Sequence, residues 1–111
     1  MSIEGIWSSE IMGLFGWEPV GVVMFSDGNV MGGGASHHSS GTYKFDDDRV
    51  TIDVKVEFHG TPRTLFGAAD PSFTVQGTLK LKGNVLEGTV RREDTPDQTV
   101  TYRLTRRADL P

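Results

Sequence analysis

The sequence predicts an all-β protein, a single domain built as an eight-stranded antiparallel up-and-down barrel. Apolar and polar residues alternate in several segments, most clearly in RVTIDVKVEFH at residues 49–59, and strand side chains alternate between two faces with this period. The pairs Asp27-Gly28 and Gly83-Asn84 are typical of two-residue hairpin turns. The 111 residues suffice for one core and not for two ordinary ones.

The pattern predicts the strands in chain order. The eight expected strands are residues 5–9, 20–26, 29–34, 40–45, 49–59, 73–82, 85–92 and 98–106. Residues 10–19 are rich in large apolar groups but follow neither a strand nor a helix period, so we expect an apolar loop there. Residues 61–72 contain two prolines and a small apolar cluster, and we assign no conformation to them.

The first hairpin turn fixes a register. A two-residue turn at Asp27-Gly28 places Phe25 opposite Val30 and Met24 opposite Met31, so both faces of this strand pair carry apolar side chains. We expect one face to fill the core and the other to be covered by a loop or another chain. The glycine run at residues 32–34 predicts a bulge, a sharp bend or close approach of a neighbouring segment.

The second hairpin turn also fixes a register. Around Gly83-Asn84 it places Leu79 opposite Gly88 on the inner face and Lys80 opposite Glu87 on the outer face. Large groups therefore meet small ones, and opposite charges meet across the pair.

Short connections favour a barrel over the alternative, a β-sandwich. Greek-key sandwiches need several longer crossings between sheets, whereas closure removes both sheet edges. The interior of an eight-stranded barrel is either filled by side chains or holds one small ligand. Strands of this length favour the filled version.

Composition argues against several kinds of site and partner. The chain has no cysteine, so disulfides and Cys-ligated metals are excluded. A net charge of −4 argues against nucleic-acid binding, in which phosphate neutralisation dominates. The first residues lack a signal-peptide pattern, and no apolar run is long enough to span a membrane. We expect a cytoplasmic protein that does not associate with membranes.

Several segments together carry a family resemblance. They are GIW at residues 5–7, VGVVMFSDGNVMGGG at 20–34, SGTYKFDDDRVTIDVKVEFH at 40–59, LFG at 65–67 and the closing RLTRRADLP. In order and spacing the chain resembles the GrlR-like family of type III secretion regulators, small cytoplasmic bacterial proteins with a lipocalin-like barrel. The resemblance implies a homodimer with an adaptor-like role that binds a protein partner such as a transcription regulator.

The acidic turn Asp46, Asp47 and Asp48 lies where the resemblance implies a partner-binding surface. The simpler interpretation is a solvated turn in which aspartates accept local backbone hydrogen bonds. The ligand spacing of a calcium loop is missing.

The apolar segment contains five large side chains that are costly to expose. They are Ile11, Met12, Leu14, Phe15 and Trp17. They are expected to cap a barrel end, to cover the outer face of the first hairpin, or to form a dimer contact. A ligand portal is a further alternative.

The histidines and a Trp–Arg pair are two further candidate sites. His37, His38 and His59 lack a ligand spacing, so we expect no metal. Arg106 continues the inward parity of the last strand, and lipocalin-like barrels resemble one another in packing an arginine over a first-strand tryptophan, here Trp7. This pair would stabilise a barrel end.

Catalytic motifs are absent from the sequence. It contains no nucleophile elbow, phosphate loop or zinc-protease motif. We therefore expect no enzyme and no cofactor, but a non-catalytic interaction or regulatory module. The alternative is a carrier of a small apolar ligand or lipid inside the barrel.

Overall fold

A computed structural model of the chain describes residues 2–60 and 70–111. These residues form a closed antiparallel barrel in which each strand pairs with the next in sequence and β8 pairs with β1. The strands are β1 (Gly5–Gly13), β2 (Gly16–Ser26), β3 (Asn29–Gly33), β4 (His37–Asp46), β5 (Arg49–Phe58), β6 (Ser72–Lys82), β7 (Val85–Arg92) and β8 (Thr95–Ala108). The predicted up-and-down barrel is confirmed, and the sandwich alternative is wrong.

The predicted apolar loop at residues 10–19 is wrong, because this segment is the hairpin of β1 and β2 with a turn at residues 14–15. Ser9 pairs with Gly21 whereas Glu10 pairs with Pro19, so the register shifts by one residue at Val20. A bulge places two residues of one strand opposite one of its partner. The alternation that identifies a strand in sequence is therefore interrupted at this point.

The predicted hairpin registers are confirmed. Phe25 pairs with Val30, and Met24 pairs with Met31. The turn between β2 and β3 has positive φ at both central positions, 49° at Asp27 and 80° at Gly28, as a type I′ turn requires.

The β6–β7 pair also has the predicted register, with Leu79 opposite Gly88 and Lys80 opposite Glu87. The Lys80 ammonium additionally lies 3.8 Å from a carboxylate oxygen of Asp48 in the β4–β5 turn.

The glycine run at the end of β3 marks a close approach of strands. A Cβ at Gly33 would lie 2.5 Å from the carbonyl oxygen of His37, and one at Gly32 would collide with the carbonyl oxygen of Val22. Larger residues would force the backbones of β2, β3 and β4 apart.

One end of the barrel, which we call the closed end, is filled with large side chains. Trp7, Phe25 and Leu86 are at most 1% exposed there. Trp7 meets Phe25 edge to face with ring centroids 6.0 Å apart, and Phe25 meets Tyr43 in the same way at 5.0 Å. The turns at residues 27–28, 47–48 and 83–84 lie at this end.

The opposite end carries the turn at residues 14–15, the connection at 34–36 and the turn at 93–94. β5 ends at Phe58 and β6 begins at Ser72 at this same end. Of the stretch 61–72, residues 61–69 lie outside the described part of the chain, including the LFG motif at 65–67. No helix formed by the described residues has the length and apolar character needed to span a membrane.

Candidate functional site

A cavity of about 280 Å³ lies inside the barrel, and we call the end that contains it the cavity end. The expected filled interior is therefore wrong for this half. The floor of the cavity includes Phe25 and Leu104, and its walls are mostly aliphatic side chains such as Val54, Val75 and Val100. The rings of Phe58, Phe73 and Tyr102 also line the cavity, so the space comes from β1 to β4, whose inward side chains are smaller here than at the closed end.

Small inward residues on the first strands contribute to this space. Ser9 is 3% exposed and pairs with Gly21, and further along the wall Gly32 pairs with Ser39. In a barrel with eight strands the inward side chains decide whether the interior is filled. Four successive strands thus present serine or glycine here, whereas at the closed end three of them present the rings of Trp7, Phe25 and Tyr43.

Ser9 and Tyr102 contribute two hydroxyl groups to the cavity wall, and Ser36, Ser39 and His37 are its other polar residues among those described. The Ser9 Oγ donates a hydrogen bond to the Gly21 carbonyl oxygen at 3.1 Å. Tyr102 lines the same cavity beside Ser9, and burial raises the pKa of Tyr102 to about 12. The phenol is therefore neutral over the physiological pH range.

Arg92 was not singled out by sequence analysis and is the most constrained charge of the cavity end. Its side chain is 7% exposed. Its Nη1 donates to Asp70 Oδ2 at 2.6 Å, and its Nε and Nη2 donate to the two Asp94 carboxylate oxygens at 2.9 and 2.8 Å. The guanidinium carbon lies 5.1 Å from the centroid of the Phe73 ring.

The ion pairs shift both charges toward their ionised forms. Hydrogen bonds from Arg92 hold the pKa of Asp94 below its usual range, and bonds to Asp94 and Asp70 raise the pKa of Arg92. Arg92 therefore connects the β7–β8 turn with Asp70, two residues before β6, and two carboxylates neutralise its positive charge. The inward parity of Val90 and Arg92, followed by Asp94, is the sequence signal that could have identified it.

Trp7 and Arg106 meet at the closed end, away from the cavity. They pair across β1 and β8, and the Arg106 guanidinium carbon lies 5.8 Å from the Trp7 ring centroid. Trp7 Nε1 donates to the Ile3 carbonyl oxygen at 2.9 Å. Arg106 Nη2 donates to the Glu4 carbonyl oxygen and to Asp109, each at 2.7 Å.

The acidic turn also lies at the closed end. Asp46 and Asp47 are exposed, and Asp47 has a φ of 61° in the two-residue turn. Asp48 is partly buried and pairs with Lys80. The packed core separates this turn from the cavity, so a ligand in the barrel does not touch it.

The five apolar residues of the β1–β2 hairpin do not act as one group. Ile11 lines the cavity. Trp17 packs against Arg103, whose guanidinium carbon lies 4.0 Å from the centroid of the Trp17 ring. Met12 is 45% exposed, whereas Leu14 and Phe15 at the turn are 95% and 97% exposed.

The hairpin does not cover the outer face of β2 and β3, because Met31 is 37% exposed there. That interpretation and the capping of the barrel end by Leu14 and Phe15 are both wrong. The outer face and the turn are the apolar surfaces that the described residues leave uncovered.

The three histidines lie near the cavity end. His37 lines the cavity and packs beside Phe58, with ring centroids 5.7 Å apart. His38 lies beside His59 at 5.2 Å, and its Nε2 is 3.9 Å from a Glu57 carboxylate oxygen. Over residues 2–60 and 70–111, no group of three or more potential ligands is placed to hold a metal ion.

No protein-family model matches the chain, and no curated protein matches its sequence. The barrel and its cavity are therefore the basis for a functional proposal.

Proposed function

We propose that the protein is a non-catalytic barrel that binds a small apolar molecule in its cavity. The observation that carries this proposal is the hollow half of the interior, about 280 Å³ in volume. An engineered cavity of ~150 Å³ with apolar walls already binds benzene. Binding pockets are typically apolar with a few placed polar groups, and Ser9 and Tyr102 are such groups here.

The polar groups of the cavity support binding better than catalysis. A serine nucleophile needs an adjacent base that accepts its proton, whereas the Ser9 hydroxyl donates to a backbone carbonyl oxygen. A tyrosine with a raised pKa holds its proton instead of acting as a base.

The proposal is tested by titrating the protein with 1-aminoanthracene, an uncharged probe whose fluorescence rises in apolar surroundings. We expect saturation at one probe per chain. Val54→Phe adds a ring inside the cavity and should abolish binding, whereas Thr51→Phe adds the same ring to the exposed side of β5 and should leave it unchanged. Equal binding by both folded variants, or none by the wild type, would contradict the proposal.

A second function is favoured by the exposed turn of the β1–β2 hairpin. We propose that the protein is also an interaction module of the GrlR-like type, a homodimer that binds a regulatory protein. Leu14 and Phe15 are almost fully exposed, and exposed apolar groups often mark interfaces. The acidic turn Asp46 to Asp48 is the proposed surface for a basic protein partner.

Light scattering at micromolar concentration tests the dimer. The wild type should show twice the monomer mass, and the double variant Leu14→Ser, Phe15→Ser should be a monomer. A monomeric wild type would contradict the proposed dimer.

The role of the acidic turn is tested by partner capture. Capture of a partner should be lost when all three aspartates are replaced by asparagine, and capture that persists would contradict the proposed role of that turn.

A further inference from the structure

We propose that the cavity selects an uncharged, mostly apolar molecule with one hydroxyl group, which donates its hydrogen bond to the oxygen of Tyr102. The inference rests on the proposed binding function and names the chemical class of the ligand. Simple alcohols and phenols belong to this class, whereas fatty acids and alkylamines do not.

The direction of the hydrogen bonds in the wall determines what Tyr102 offers. A carbonyl oxygen only accepts, so the single proton of the Ser9 hydroxyl is engaged with Gly21. Tyr102 lies beside Ser9 in the same wall, and with the Ser9 proton engaged the phenol is the member of this pair that has a proton to donate. The Tyr102 oxygen keeps lone pairs that can accept a bond, and a ligand that donates matches them.

The charge distribution favours a neutral ligand. Among the described residues that line the cavity there is no aspartate, glutamate, lysine or arginine. The nearby cation Arg92 is already bound to Asp70 and Asp94, so it does not attract a further anion. An ionised group would lose its hydration in this wall without gaining an opposite charge.

His37 is the one titratable imidazole in the described lining, and it lies at the cavity end beside Phe58. All ligands are measured in the same buffer at the same pH, so that the state of His37 is common to every comparison. The volume of about 280 Å³ is roughly twice that of an engineered cavity that holds benzene, which suits a medium-chain alcohol.

The test compares three ligands of matched size by isothermal titration calorimetry. They are 1-octanol, its isomer 1-methoxyheptane, which accepts hydrogen bonds and cannot donate, and octanoate. We expect 1-octanol to bind the wild type about three- to tenfold more tightly than the ether, the range for one buried hydrogen bond. Octanoate should bind more weakly than either.

Tyr102→Phe removes the acceptor and should weaken the binding of 1-octanol by that same factor, while the affinity for the ether stays the same. Tyr43→Phe removes a phenol hydroxyl from the closed half of the barrel and should change the affinity for neither ligand. Circular dichroism shows that each variant is folded.

Other outcomes separate the two proposals. If alcohol and ether bind the wild type equally, or octanoate binds most tightly, the ligand class is wrong and the binding function stands. If none of the three binds and the 1-aminoanthracene titration is also negative, both proposals are wrong.

Discussion

The two ends of the barrel share one set of strands and differ in what those strands present inward. At the closed end Trp7, Phe25 and Leu86 are almost completely buried, and Trp7 packs edge to face against Phe25. At the cavity end the same strands present Ser9 and Val54 around an empty volume. Period-two alternation is common to both ends, so the size of each inward residue, and not the pattern, decides between a packed core and a binding site.

The largest expected effect comes from shortening a packed side chain at the closed end. Leu86→Ala should lower the free energy of unfolding by about 2–5 kcal/mol, because Leu86 is fully buried and the space it leaves is a new cavity. Val54→Ala, at the cavity wall, should cost less than about 2 kcal/mol because its neighbours on one side are already absent. Urea unfolding measures both, and equal losses would contradict the difference between the ends.

A second effect should appear at alkaline pH. The pKa of Tyr102 is raised to about 12 in the folded protein, against about 10 when unfolded. The neutral phenol therefore contributes stability that is complete below pH 10 and is lost as the pH rises toward 12. The wild type should lose about 2–3 kcal/mol more than Tyr102→Phe over this range. Parallel urea titrations at several pH values check this, and identical slopes would contradict the burial of the hydroxyl.

A smaller effect is expected from the ion pairs of Arg92. Its two carboxylates are 50% and 64% exposed, so solvent screens the pairs. Arg92→Met should still lower the melting temperature more than Arg91→Met, since Arg91 is exposed on the outer face.

The difference in melting temperature between Arg92→Met and Arg91→Met should depend on pH. Because the pKa of Asp94 is depressed in the folded state, its contribution is present above the ordinary carboxyl pKa and is lost as the pH falls through the folded value. The two variants should therefore converge in strong acid. A gap in melting temperature that persists there would show that Arg92 acts through its packing on Phe73 alone.

The sequence predicts the fold better than the site for a physical reason. Residues 49–58 are recognisable because one face of β5 meets the interior and the other meets water. The hairpin of β1 and β2 is not recognisable in the sequence, because one bulge at Val20 shifts the alternation of apolar and polar residues. Arg92 ends β7 as a charged residue, which resembles an exposed strand end until β6 and the β7–β8 turn surround it. The cavity depends on which small residues share a level of the closed barrel, and pairing across eight strands decides that.

The most direct test of the account is a methyl NMR spectrum of the protein titrated with 1-octanol. We expect the valine methyls at the cavity end, those of Val54, Val75 and Val100, to shift with saturation. Methyls of the packed half, those of Val50 and Leu86, should stay in place. Shifts confined to the outer surface or to the closed end would contradict a binding site in the hollow half of the barrel.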